Sequence, residues 1–510
     1  MQDRPTVAVI GAGFSGVLTA LRLLVAPEGP TVLLIERGPR FGRGAAYATG
    51  SPHHLLNVRA TNMSAFVEQP SHFLDWLGEE GDAEVGQVFV TRDRYGRYLQ
   101  SLLREAASGD GARRLVLVHD DVVSLKQAGE KWALHLGVGR VLKADAVVLA
   151  TGNLPPPAPE GLDPDLLTSP RYVADPWAWD AAETPTAGDI LLLGTGLTAV
   201  DMALSIDAAR PGAMITALSR HGLLPRAHAP TGEGNAWAQP PTGSPQQVLS
   251  RVRAEAKTDW RGALDALRPH VQALWRGWSV DERRRFLRHA RPWWDVHRHR
   301  LAPQTAETLA TFQARGTFQV EAGRLAELSL KGDAVEASWR RRGGGETRSR
   351  SFALVVNCTG PMGDVTRSGD PLIGALLAAG LVRPDACALG IDVDARSRTV
   401  GADGSASPTL FAVGPITRGQ FYEITSVPDI RLQAAECAEA IQSVLSLRAH
   451  PPAPSAGQAD LRAFIDQAIA EIDVELASLK FAGRARNAWE LRGRRAALGD
   501  VALWLDERGR

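Results

Sequence analysis

Apolar residues fall into short runs separated by glycine, proline and polar stretches, and the first run is Val7-Ala8-Val9-Ile10. A continuous apolar run of this length, bounded by turn residues, reads as a strand buried on both faces. Residues 14–25 then repeat apolar positions at helical spacing, and Thr31 to Ile35 is apolar again, which makes a βαβ opening. A polar, glycine-rich stretch follows to about residue 70. Later runs end in Ala146-Val147-Val148-Leu149-Ala150, then Thr151-Gly152 and the turn-forming Pro155-Pro156-Pro157.

A second βαβ opening runs from Ile190-Leu191-Leu192-Leu193 through a helix at about 197–208 to Ile215-Thr216-Ala217-Leu218. Residues 225–245 read as a loop and 245–312 as helices dense in Arg, His and Trp. Strand texture returns at 317–340 and at Phe352 to Val356, ahead of Asn357-Cys358-Thr359-Gly360. Leu410 to Pro415 leads into a polar loop and a long helix, and a Pro/Ala/Ser linker at 450–457 precedes a mostly helical tail. Two βαβ openings in 510 residues predict an α/β fold with two Rossmann-like domains. The first takes 1–155 and 346–450, the second is inserted at 156–345 and carries the helical insertion at about 245–312, and the tail is 451–510.

Each opening carries a dinucleotide fingerprint at its strand-to-helix turn. Gly11-Ala12-Gly13-Phe14-Ser15-Gly16 sets one glycine at the tight turn, one where a pyrophosphate meets backbone, and one where helix packs on strand. Glu36 ends the following strand, placed for a ribose hydroxyl. The second copy is Gly194-Thr195-Gly196-Leu197-Thr198-Ala199, and its following strand delivers Ser219-Arg220-His221 instead of an acid. A guanidinium there suits the 2′-phosphate of NADPH, whereas an acid would repel it. The plain alternative for Arg220 is a solvated strand-end charge.

Composition narrows the class. Lys+Arg and Asp+Glu balance at 57 each, so no global field draws the protein to nucleic acid or an anionic membrane. No apolar run approaches a membrane span of roughly 20 residues, and the start of the chain leaves no room for a signal peptide, so a cytoplasmic location is expected. Cys358, Cys387 and Cys437 are an odd count at wide spacings, which argues against a disulfide framework and a four-ligand zinc site and excludes a paired redox disulfide beside a flavin. Residues 251–300 hold 13 Lys/Arg against 6 Asp/Glu and five tryptophans. A substrate cap for an acidic small molecule and a Trp-filled core under surface arginines both fit that pattern. His297 and His299 lie two apart, on opposite helix faces, so no metal is expected.

Together these residues resemble the flavoproteins with two dinucleotide-binding domains, and specifically the YdhS-like group of FAD/NAD(P)-binding proteins. The shared blocks are Gly11–Gly16, Gly44–Tyr47, His54–Val58, Met63–Phe66, Ala150–Gly152, Leu193–Thr198, Ser219–Arg226, Trp294–Arg300, Val413–Pro415 and Val427–Arg431, spanning about residues 5–440. The resemblance implies a glutathione-reductase-like arrangement with FAD in the first domain and NADPH in the second. It gives cofactor-binding places in and around the FAD domain to Gly11, Gly13, Phe14, Ser15, Gly16, Glu36, Arg37, Gly44, Tyr47, Asn57, Val58, Met63, Val123, Gly414, Pro415 and Ser426, and makes Thr151-Gly152 and Thr359-Gly360 the crossings between the two domains. NADPH falls to Gly194, Thr195, Gly196, Leu197, Thr198, Ser219 and Arg220.

That group looks like a relative of the single-component flavin monooxygenases, including enzymes that N-hydroxylate amines. The stretch Tyr172 to Trp177 has Trp177 but lacks the histidine of the Baeyer-Villiger fingerprint, which argues against that chemistry. The expected reaction has NADPH reduce FAD, after which molecular oxygen is used to oxygenate a small polar substrate such as an amine or amino acid. Arg298 and Arg300 are candidate carboxylate anchors, His297 a candidate proton shuttle and Trp177 a candidate site residue. A reductase without oxygen insertion and a flavin-bound sensor are the alternatives.

Overall fold

The computed structural model describes residues 4–79, 88–109, 112–229, 237, 241–449 and, in the tail, 465–470, 472–473, 495 and 498. Residues 1–439 form one compact unit and 440–510 another. In the second unit residues 465–470 are helical and Arg495 pairs with Asp473; most of the expected helical tail lies outside the described residues. Among the described residues no helix is long and apolar enough to cross a membrane.

The first unit opens with β1 (Thr6–Ile10), α1 (Phe14–Leu24) and β2 (Thr31–Glu36), as the apolar pattern predicts. Then come α2 (Gly44–Tyr47), α3 (His72–Glu79), α4 (Arg92–Ser108) and β3 (Leu115–His119). A three-stranded antiparallel meander follows, β4 (Val122–Ala128), β5 (Lys131–Leu136) and β6 (Val141–Ala144), before β7 (Ala146–Leu149). Next are β8 (Tyr172–Val173), β9 (Ile190–Leu193), α5 (Leu197–Ala209) and β10 (Ile215–Ser219). The insertion is α6 (Pro245–Leu267), α7 (Val271–Gly277), α8 (Val280–His289), α9 (Arg291–Arg298) and α10 (Pro303–Ala314). The chain continues through β11 (Phe318–Lys331), β12 (Ala334–Arg341), β13 (Thr347–Phe352), β14 (Leu354–Asn357), α11 (Pro371–Ala378), β15 (Arg398–Val400), β16 (Ala406–Ala412) and α12 (Val427–Ala449).

Two sheets result. The first runs β15-β16-β7-β1-β2-β3 and the second β13-β12-β11-β10-β9-β14-β8. β1 lies parallel between β2 and β7, and β9 lies parallel between β10 and β14. Both central strands are buried along almost their whole length, which is why they read as unbroken apolar runs. The expected boundary at residue 345 needs correcting. β13 and β14 pair inside the second sheet, and that sheet ends only at Asn357, because the apolar run 354–356 is the strand that flanks β9.

The two sheets are joined by a polar seam. Arg92 on α4 pairs with buried Asp201 on α5 at 2.7 Å, and His54 Nε2 lies 2.8 Å from Ser205 Oγ and 3.0 Å from the Asp201 carbonyl. Removing one partner of such a buried pair typically costs about 3–5 kcal/mol, because the other charge is left stranded. A second tie is His228, whose Nε2 donates to the Asn57 carbonyl at 3.0 Å while its Nδ1 is buried without a partner. Burial pushes the His228 pKa down to about 4.

Since this histidine is neutral when folded, the unfolded chain takes up a proton first as pH falls, and stability is lost between about pH 6.5 and about 4. The melting temperature is therefore expected to decline across that window. In His228→Gln, whose amide still donates to Asn57, the decline is expected to be shallower, as read by thermal melts at stepped pH.

Candidate functional site: two fingerprints and a cleft

The fingerprint glycines fall into two kinds. An ideal Cβ on Gly11, at φ 101°, would stand 2.4 Å from the Ala150 carbonyl oxygen, and one on Gly16 would stand 1.8 Å from Gly11 O. In the second copy a Cβ on Gly194, at φ 118°, would stand 2.3 Å from Cys358 O. At these positions the fold itself forbids a side chain. Gly13 and Gly196 differ: both have ordinary negative φ, and their Cβ atoms would meet nothing closer than Gly44 Cα at 3.5 Å in the first case and nothing within 4 Å in the second. Neither backbone strain nor packing demands glycine there. What remains is close approach by something outside the chain.

Gly13 and Gly196 are also the N-caps of α1 and α5, and neither helix has a side-chain cap. Free first-turn N–H groups and the positive end of each helix dipole form an anion cradle. Around the first cradle, Glu36 accepts from the Ala12 and Gly38 N–H groups at 2.8 and 2.7 Å, which fixes its carboxylate beside the turn. Gly44, at φ 53°, packs directly against Gly13, so the turn before Tyr47 folds over the cradle. Phe14 and Tyr47 meet edge to face with ring centroids 6.3 Å apart, and the Met63 carbonyl accepts from Tyr95.

Other assigned residues take definite places. Val123 sits in a β-bulge: Val122 opposes Leu136 and Ser124 opposes His135, so Val123 has no opposite residue on β5. Thr151 Oγ1 is buried without a hydrogen-bond partner, and Gly152 has φ 72°. Gly414, at φ 77°, has no room for a Cβ because Ser15 Oγ would be 2.2 Å away, and Gln433 accepts from its N–H. Ser426 precedes α12 and bonds to Asp429 and Arg268. Asn57 and Val58 lie on the loop held by His228, and Arg37 pairs with Asp370 at 3.0 Å. The orphaned Thr151 hydroxyl, the open space at Gly13 and the uncapped α1 all fit a dinucleotide.

The second fingerprint opens into a cleft of about 860 Å³ lined by Gly194 to Thr198, Ser219, Arg220, Thr359 and Gly360. Thr195 Oγ1 lies 2.9 Å from Ser219 Oγ and 2.6 Å from the Leu223 carbonyl, fixing the strand end. Arg220 is exposed there, and Arg342 comes alongside from the β12–β13 hairpin to contact His221. The cleft continues to Arg291, Asp295, His299, Arg418 and Thr425, on α9 and on the loop between Gly414 and Ser426.

Helix α9 divides two environments. Its Arg291, Asp295 and Val296 side, with His299 at the C-cap, lines the cleft, whereas Trp293, Trp294 and His297 line a separate apolar cavity of about 360 Å³ with Trp260, Trp275, Trp278 and Tyr422. His297 thus faces aromatic rings, with Nδ1 at 2.7 Å from the Trp293 carbonyl. Arg300 is buried on an ion pair with Asp265 at 2.5 Å, and Arg298 sits 3.2 Å from buried Glu423. Trp177 packs against His54 and the Arg92 guanidinium at the seam, away from the cleft lining.

The sequence reading did not single out Arg291, Asp295, His299, Arg418 or Glu423 as a cleft end. The spacing of four between Asp295 and His299 was an available signal, because it puts both on one side of a helix. Arg418 had no local signal. Burial pushes the His299 pKa down, so the ring is neutral at neutral pH. Glu423 is pushed up by burial, yet the protonated form of His299 and the Arg298 guanidinium beside it hold it below the ordinary carboxylate range.

Residues 8–154 match the FAD-NAD(P)-binding family. The chain is 24% identical over 372 residues to L-lysine N6-monooxygenase MbtG of Mycolicibacterium paratuberculosis, across 66% of this chain and 78% of that protein. It aligns in fold with the reduced form of ornithine hydroxylase (PvdA) from Pseudomonas aeruginosa at TM-score 0.62 and 14% identity, covering 87% of this chain and 99% of the other. A similar alignment holds with the ornithine N-hydroxylase KtzI of Kutzneria sp. 744, solved with reduced FAD, NADP+ and L-ornithine, at TM-score 0.55 and 14% identity over 85% and 98%. The fold is that of the FAD/NADPH flavoproteins with two Rossmann-like domains.

If Gly13 is glycine for a ligand and not for the fold, Gly13→Val should give a folded protein with an unchanged far-UV spectrum that purifies without yellow flavin. Equal flavin content in the variant and the parent, read from absorbance near 450 nm after denaturation, would place the flavin elsewhere.

Proposed function

We propose that this chain is a cytoplasmic FAD- and NADPH-dependent monooxygenase that N-hydroxylates a small amine, with an amino acid as the substrate class. The observation that carries this reading is the single cleft that joins the second fingerprint to the loop between Gly414 and Ser426. Hydride donor, flavin edge and substrate need one shared chamber, because proximity supplies much of the acceleration in such a transfer. The likeness to MbtG, PvdA and KtzI supports an amino acid and oxygen as the other reactants. The shared sequence blocks support membership of the YdhS-like group.

Gly11 to Gly16, Glu36, Thr151 and Gly414 would hold FAD, which would supply hydride acceptance and oxygen activation when bound. The protein's share is orientation and proton handling. Ser219 and Arg220 select the 2′-phosphate of NADPH, with Arg342 adding a second guanidinium close by. His299, kept neutral by burial, takes the proton that an ammonium substrate must lose before its lone pair can react. Asp295, at 3.2 Å from Arg291, orients that end of the cleft. Arg298 acts through Glu423, Trp294 closes the wall behind it, and the seam of Trp177, His54 and Arg92 keeps the two domains in register.

The test is product analysis under oxygen-18 gas with NADPH and a panel of amines and amino acids. One labelled oxygen atom in a hydroxylamine product, with NADPH consumption raised by that substrate, is the expected result. NADPH consumption that yields only hydrogen peroxide across the panel would replace this reading with a reductase that inserts no oxygen.

A further inference from the structure

Among the described residues, buried side-chain polar atoms without a hydrogen-bond partner gather in one place: Asp295 Oδ1, Arg418 Nε and Tyr422 Oη, beside Arg298 Nε and Glu423 Oε2, which meet each other only as an ion pair at 3.2 Å. Buried polar groups are normally satisfied, so such a concentration marks a place where something else completes the bonding. Its backbone is strained as well. Glu423 holds φ 71°, a left-handed conformation that few side chains adopt without a compensating contact.

The charges there do not cancel. Asp295 is paired with Arg291 at 3.2 Å, and Glu423 is engaged by Arg298 at 3.2 Å and by the Trp294 indole at 2.8 Å. Arg418 lines the cleft, its guanidinium lies 5.6 Å from the Tyr422 ring centroid, and it has no carboxylate within ion-pair distance among the described residues. Three guanidiniums, Arg291, Arg298 and Arg418, therefore face two carboxylates. Arg418 follows by four residues Gly414, which packs on the first turn of α1, so the surplus cation lies on the loop that leads from the first fingerprint into the cleft.

We propose that Arg418 anchors the carboxylate of the substrate, completing the charge of this cluster and fixing the amine end toward His299. The proposal rests on the amino-acid reading above and supplies the residue that makes the enzyme require a carboxylate. A guanidinium fork matches a carboxylate in a way that a lysine ammonium does not.

The experiment compares the flavin-loaded parent with Arg418→Met and Arg418→Lys, using three probes: L-lysine, 1,5-diaminopentane, which lacks the carboxylate, and L-norleucine, which lacks the side-chain amine. Binding is read by calorimetry, and turnover by NADPH consumption and hydroxylamine product. In Arg418→Met, binding of L-lysine and L-norleucine should weaken by about ten- to a hundredfold. Binding of 1,5-diaminopentane and the KM for NADPH should stay unchanged, and Arg418→Lys should recover only part of the loss. Equal weakening for all three probes, a raised KM for NADPH, or no binding of either amino acid by the parent would overturn the anchor. Norleucine binding that depends on Arg418 without any hydroxylamine from lysine would keep the anchor and sink the N-hydroxylase reading. Lysine hydroxylation unaffected in Arg418→Met would do the reverse.

Discussion

Everything in the cleft depends on two places where backbone touches backbone with no room for a side chain. Gly11 lies against Ala150 where β1 and β7 end, and Gly194 lies against Cys358 where β9 and β14 end. Each contact draws a strand end, a crossing segment and a helix start together, and so puts an uncapped helix N-terminus over the edge of a sheet. A methyl group at either glycine would force the crossing segment away. The nearby Gly13 and Gly196, free of any such constraint, are then read as openings for phosphates.

Beyond the cradles, one eight-residue helix separates two kinds of chemistry. Alternate sides of α9 give a charged cleft wall and an apolar cavity wall, and the indole N–H of Trp294 reaches back to Glu423 on the cleft side. Low dielectric behind that wall strengthens every charge in front of it. His299 stays neutral and Glu423 ionised within the same few residues, an arrangement suited to receiving a proton and to holding a charged substrate.

How much of this is written in the sequence depends on how local the signal is. Both βαβ openings were legible because a parallel strand buried on two faces must be continuously apolar, and the fingerprint glycines follow at fixed offsets. The end of the second domain was not, since β14 finds β9 across more than 150 residues and no local feature separates it from the strands of the first sheet. The same holds for the site. Arg220 follows its strand directly, whereas Arg300 and His297 share the Arg- and His-rich block with His299, and only the packing of α9 decides which of them meets Asp265, which the tryptophans and which the cleft. Arg418 acquires its position from the course of a loop, and loops carry little periodic information.

The central claim is that the two cradles hold two dinucleotides within reach of each other across one cleft, with Arg220 selecting the phosphorylated one. Anaerobic rapid mixing of the flavin-loaded protein with NADPH or NADH, followed at the flavin absorbance, tests this most directly. The account predicts that NADPH bleaches the bound flavin in a single saturable phase and NADH far more weakly. In Arg220→Ala that preference should shrink by roughly ten- to a hundredfold through loss of NADPH alone. A flavin that neither nucleotide bleaches, or an Arg220→Ala protein equally impaired with both, would contradict it.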